Sequence, residues 1–127
     1  MDITPVVPPN INMISGYGIS GFKVNSQLFV GNIILSANTV NKWVINNDIQ
    51  SSDSYSQIIK IIEREEAENM ILLIGTGREV ISPLSIPVHL FIKRNVSPEI
   101  MSTPAACRTY NILISEQRHV YALLIGL

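Results

Sequence analysis

The sequence predicts a single, small, soluble α/β domain, and three observations lead there. A first third rich in β-formers gives way to alternating helical and strand patterns in the order α, β, α, β, α, β. Two of the strand segments, Met70–Ile74 and Val120–Ile125, are short continuous apolar runs, as in strands buried on both faces. A length of 127 residues, 46% of them hydrophobic, suits one core rather than two.

Taken in order, residues 1–13 carry Pro5, Pro8 and Pro9 and read as an extended arm ahead of a domain at 14–127. Tyr17–Val24 and Leu28–Leu35 are strand-like on either side of Asn25-Ser26, which predicts a hairpin. A third strand is expected at Lys42–Ile45 around Trp43, ended by Asn46-Asn47-Asp48. Ser51-Ser52-Asp53-Ser54 offers N-caps for a helix whose Tyr55, Ile58, Ile59 and Ile62 recur at helical spacing, with Glu63 to Glu66 beyond. Asp53 thus reads as a cap rather than a catalytic acid.

Pro83 and Pro87 bracket the start of a second helix, expected at Ser85–Asn95, and Val96–Met101 reads as a strand whose Pro98 suggests an edge. Thr103-Pro104 places Thr at the N-cap and Pro at the first position of a third helix running to Ser115. If Met70–Ile74 and Val96–Met101 are parallel, the loops Gly75-Thr76-Gly77 and Ser102-Thr103-Pro104 open side by side at the carboxyl end of the sheet. Ligands of open α/β sheets gather at that end.

Nine basic and ten acidic residues give a net charge of -1, and Lys and Arg are scattered. Such a chain has no general pull toward nucleic acid. Cys107 is the sole cysteine, so no internal disulfide forms, and with His89 and His119 it makes a poor zinc set. No metal or cofactor is expected. The N-terminus lacks the basic and apolar regions of a secretory signal, and no apolar run reaches the ~20 residues of a membrane span. A bacterial cytoplasmic location is the expectation.

Gly16-Tyr17-Gly18-Ile19-Ser20-Gly21 formally matches the dinucleotide fingerprint, but β-formers follow it where a helix is required. A bend or bulge in a strand is the better reading. Gly75-Thr76-Gly77-Arg78 follows a buried strand and is either a ligand-approach loop or a plain strand exit. Cys107 lies early on the third helix, where the dipole and Arg108 favour a thiolate; beside Ala105 and Ala106 it reads more readily as a buried core thiol. Arg108, Thr109, Tyr110 and Asn111 form a polar run that either lines a cleft or leaves Tyr110 in the core and the others solvated. Arg108 on an inward-packing helix needs a carboxylate, carbonyls or a bound anion to offset desolvation.

Gly18-Ile19-Ser20-Gly21-Phe22, Leu72 to Gly77 and Thr103 to Asn111 occur in an order and spacing that resemble a known family. It contains the mitochondrial respiratory complex I assembly factor 3 and many uncharacterised bacterial proteins, and the likeness covers about Ile14 to Ile125. Departures are Ser26, where members often carry Gly, and Ser102, where many carry Asp.

The resemblance implies a three-layer α/β fold with a central mixed sheet, helices on one side and extra β-structure on the other. It implies a last strand antiparallel to its neighbours, and a role in assembling a membrane respiratory complex through protein contacts rather than chemistry. The expected partners are assembly factors or complex subunits, met at the inner membrane surface. The candidate binding residues are Gly75, Thr76, Gly77, Cys107, Arg108, Thr109, Tyr110 and Asn111, with none catalytic. The other reading of the same residues is a small-ligand site or enzyme cleft between the Gly75–Gly77 loop and the start of the third helix.

Overall fold

A computed structural model describes residues 10–46, 48–65, 69–82 and 85–127. Pro5, Pro8, Pro9, Asn47, Glu66 and Pro83 lie outside the described residues. The first strands, β1 (Ile14–Gly18), β2 (Gly21–Val24) and β3 (Gln27–Phe29), form a small antiparallel sheet in that order. Asn25-Ser26 joins β2 to β3 as expected. Both residues have positive φ, 50° and 72°, the conformation of a two-residue turn that matches strand twist. The strands themselves are shorter than the sequence pattern implied. Tyr17–Val24 breaks at Ile19-Ser20 into β1 and β2, which pair with each other, and Leu28–Leu35 breaks at Gly31, whose φ is +89°.

The second half of that run becomes β4 (Ile33–Ser36) in a five-stranded sheet ordered β5-β4-β8-β6-β7. Here β5 is Val40–Lys42, so the expected strand around Trp43 ends just before it, and Trp43 is buried instead. Its ring N–H donates to the Ser54 carbonyl at 2.6 Å, fixing the short 3₁₀ turn Ser52–Tyr55 that leads into α1 (Ser56–Arg64). Next come β6 (Ile71–Gly75), α2 (His89–Ile92), β7 (Pro98–Met101), α3 (Thr103–Ser115) and β8 (Val120–Leu124).

The second helix is one turn, not the eleven residues from Ser85 to Asn95 that the pattern suggested. Asn95 at φ 63° closes it, with Val96 N–H bonding the Phe91 carbonyl and Asn95 N–H that of Ile92. The strand runs parallel, β6 beside β7, are as expected. The last strand is a correction: β8 is antiparallel to β4 but parallel to β6. The reason is α3. Its 13 residues, about 20 Å at 1.5 Å per residue, carry the chain back from the carboxyl end of β7 to the amino end of the sheet.

Alternation along the central strands sorts side chains onto two faces. Ile34, Leu72, Ile74, Tyr121 and Leu123 join Ile58 and Ile62 of α1, Phe91 of α2, Trp43 and Tyr55 in one core. Ile33, Leu35, Leu73, Val120, Ala122 and Leu124 join Ala106, Cys107, Tyr110 and Ile114 of α3, with Ile14, Phe22 and Val24 of the small sheet, in the other. The result is a three-layer α/β domain around a mixed sheet. The layers differ from the resemblance in one respect: α3 lies on the same side as the extra β-structure, and α1 and α2 cover the opposite face. Residues 12 and 13 of the expected arm are tied down, Asn12 bonding the backbone of Ser36 and Ala37 and Met13 that of Asn25.

Candidate functional site

The carboxyl ends of β6 and β7 bring the two candidate loops together. Thr103 is the joint. Its N–H donates to the Gly77 carbonyl at 2.7 Å, its hydroxyl accepts from Gly77 N–H at 2.8 Å, and the same hydroxyl donates to the Ile125 carbonyl at 2.8 Å. Thr103 can do this because Ser102, not Thr103, is the N-cap, accepting from Ala105 N–H at 3.4 Å. Thr103 is therefore the first helical residue and fully buried, a role the Thr-Pro pattern concealed.

Gly75 owes its lack of a side chain to this junction. A Cβ there would stand 3.0 Å from both Cα and Oγ1 of Thr103 and 3.1 Å from Leu124. The close approach is to the helix, not to a ligand. Thr76 is likewise committed: its N–H bonds Met101 O at 2.9 Å, and its hydroxyl donates to Glu79 O at 2.6 Å while receiving Ile81 N–H at 3.3 Å. Gly77, at φ +100°, turns the chain back toward α3.

The helix residues divide in the same way. Cys107 is 1% exposed, and burial pushes its thiol up to about 12, Arg108 acting weakly in the opposite direction. The dipole and the neighbouring cation do not make a thiolate here, because desolvation outweighs both. Tyr110 is wholly buried and its hydroxyl donates to Asn12 O at 2.9 Å. Asn111 is half-buried. It clasps strand β1, accepting from Ile14 N–H at 2.9 Å and donating to Ile14 O at 2.8 Å, as a neighbouring strand would.

Arg108 corrects the sequence reading. It is exposed rather than turned inward, needs no desolvation partner, and donates to the Tyr17 hydroxyl at 3.1 Å. Thr109 is half-buried and borders a trough of about 390 Å³ beside edge strand β7, with Glu99, Met101, Leu113 and Arg118. The eight candidates thus fall into five settings: Gly75, Thr76 and Gly77 at the junction, Cys107 and Tyr110 in the core under α3, Asn111 on β1, Thr109 at the trough beside β7, and Arg108 on the outer surface.

The fingerprint-like glycines also resolve. Gly16 to Gly21 form the β1–β2 turn and its strand ends, with a register irregularity between Ile14 and Gly16. A second polar group escaped sequence reasoning because its members are distant along the chain. The Tyr121 hydroxyl donates to Glu65, whose other oxygen is 3.5 Å from His119 Nε2, and burial together with Glu65 pushes Tyr121 up to about 12. Its only signal was a single Tyr inside the apolar run of β8.

Among the described residues no group of three or more His, Cys, Asp or Glu is placed to hold a metal, and no helix is long and apolar enough to cross a membrane.

Comparisons with known proteins agree with the motif reading. An assembly factor 3 of the NADH dehydrogenase [ubiquinone] 1 alpha subcomplex from Drosophila melanogaster is 30% identical over 116 residues, 89% of this chain and 58% of that protein. The chain therefore spans about three fifths of the length of that relative. A 13 kDa major membrane protein of Francisella tularensis is 35% identical over 96 residues, 73% of each chain. The solution structure of a Mth938-like domain from Bordetella pertussis superposes with a TM-score of 0.75 at 26% identity, covering 99% of this chain and 92% of that one. Residues 14–125 match the model of a family described as a protein of unknown function (DUF498/DUF598), and the chain belongs to that family.

Proposed function

We propose that this chain is a non-catalytic assembly protein serving the biogenesis of a membrane respiratory complex, complex I, through contacts with other assembly factors or complex subunits. The relatives named as complex I assembly factors supply the direction of this reading. One structural observation supports the absence of chemistry. The polar groups of Thr76, Gly77, Thr103, Tyr110 and Asn111 are each bonded to backbone or to one another, at 2.6–3.3 Å, rather than converging on a cleft. A catalytic constellation needs a nucleophile, a base and donors aimed at one open point. We place the chain in the cytoplasm of a bacterial cell, at the inner membrane surface through its partners.

The test is deletion of the gene combined with native gel analysis of the respiratory chain. Loss of assembled complex I, restored by the wild-type chain, is the expected result. Normal complex I abundance and NADH oxidation in the deletion strain would overturn the proposal. Affinity capture of the tagged chain from native membranes identifies the partner: subunits or assembly factors are expected, and a bound metabolite in their place would favour a small-ligand site.

A further inference from the structure

Among the exposed large apolar side chains, Tyr17, Ile19, Leu28 and Val30 fall within one stretch of the small sheet. Ile19, at 82% exposure, tips the β1–β2 turn, and Val30, at 74%, tips the loop after β3. The two tips are neighbours, because a Cβ on Gly21 would stand 3.2 Å from Val30 Cα. Neither contributes to the core, and neither turn requires a branched apolar residue, since polar residues and glycine serve there better.

The segments that carry them hold side-chain charge of one sign. No acidic residue occurs in residues 10–46 or 100–115, which supply β1 to β5 and α3. Lys23 on β2 and Arg108 on α3 are both exposed and form no ion pair among the described residues. Lys23 lies two residues behind Gly21 in β2, and Arg108 meets β1 at Tyr17, one residue behind Gly18. Tyr17 is two residues from Ile19, and Lys23 pairs with Leu28, two residues from Val30, so at about 3.3 Å per residue both cations are attached some 7 Å back from the tips. That is the depth difference between an apolar side chain in the acyl boundary and a cation among headgroups. Tyr17, with its ring near the tip and its hydroxyl on the Arg108 guanidinium, suits the interface between them.

We propose that the end of the small sheet is a peripheral docking site for an anionic lipid bilayer, with Ile19 and Val30 inserted and Lys23 and Arg108 on phosphate. Exposed branched side chains on two adjacent turns, with the exposed cations Lys23 and Arg108 set behind them, match an acyl boundary lying under anionic headgroups. The site goes beyond the assembly role, as it binds the membrane directly and without a partner.

Flotation of the purified chain with vesicles of mixed phosphatidylcholine and phosphatidylglycerol, against pure phosphatidylcholine, tests it. Binding to the mixed vesicles alone, weakened by salt, is expected. The double variant Ile19→Ser, Val30→Ser should lower partitioning about ten-fold or more while melting as the wild type does. Lys23→Glu with Arg108→Glu should abolish it. A second readout is Ile19→Trp, whose emission should shift to the blue on adding mixed vesicles, Trp43 being buried throughout. No binding of the wild type to anionic vesicles, equal binding of the tip variant, or an unshifted Trp at position 19 would each overturn the proposal. So would loss of a captured protein partner by the tip variant when vesicles are not bound at all.

Discussion

Replacing Thr103 by Val removes one hydroxyl and almost no volume, so it isolates the junction that holds the two loops. Two backbone groups lose their partner, the N–H of buried Gly77 and the C=O of half-buried Ile125, bonded now at 2.8 Å each. A buried donor left unsatisfied costs about 1–3 kcal/mol. The Ile125 carbonyl, which water can reach in part, adds about 1 kcal/mol. The expected loss is therefore about 2–4 kcal/mol. For a domain of this length 1 kcal/mol moves the midpoint by about 4 °C, so Tm should fall by about 8–15 °C in a thermal scan followed by circular dichroism. Thr103→Ser, which keeps the hydroxyl and loses only a buried methyl, should cost about 1 kcal/mol. Near-equal melting of the Val and Ser variants would refute the reasoning, since the methyl and not the bonded hydroxyl would then be what matters.

Three further outcomes are expected. Asn111→Ala frees both backbone groups of Ile14 and should cost about 1–3 kcal/mol, with hydrogen exchange at the Ile14 amide rising more than at Leu73; uniform exchange would contradict a local clasp. Cys107 should resist thiol reagents in the native state, and its pH dependence has a definite sign. Its folded value of about 12 lies above the ordinary 9.0, so its contribution is intact below pH 9 and is lost as pH rises from there, at up to about 1.4 kcal/mol per unit. Comparing urea midpoints of wild type and Cys107→Ala between pH 8 and about pH 10 reads that difference, and parallel profiles would count against it. Ser26→Gly should raise stability by about 0.5–1 kcal/mol, because Ser26 holds φ 72° and its bonded N–H to Ser15 survives the change; a lower urea midpoint would show that the turn is not strained.

The α/β class, the βαβ unit of β6 and β7 and the neighbouring loops were legible because they rest on local patterns. A doubly buried strand must be continuously apolar, and parallel strands joined by a short connection place their exits at one end. The turn at Asn25-Ser26 was legible for the same reason: its conformation belongs to the two residues themselves. Strand limits were not. Gly31 divides one apolar run between two sheets, and nothing in the run itself states which half pairs where.

The candidate site shows the division most clearly. The sequence marked Thr103 to Asn111 as unusual but could not distinguish a cleft from a clasp. The difference lies in partners about a hundred residues away, Ile14 for Asn111 and Asn12 for Tyr110. The apolar neighbours of Arg108 on the chain left it open between a desolvated cleft position and a solvated one. The helix turns it outward to Tyr17, since at 100° per residue adjacent side chains face different surroundings. Local chemistry was thus set by the sequence alone, down to the turn residues Asn25 and Ser26. Which polar groups are satisfied, which are exposed, and where the apolar tips Ile19 and Val30 meet were decided only by tertiary structure, because each depends on bringing together segments that the chain keeps apart.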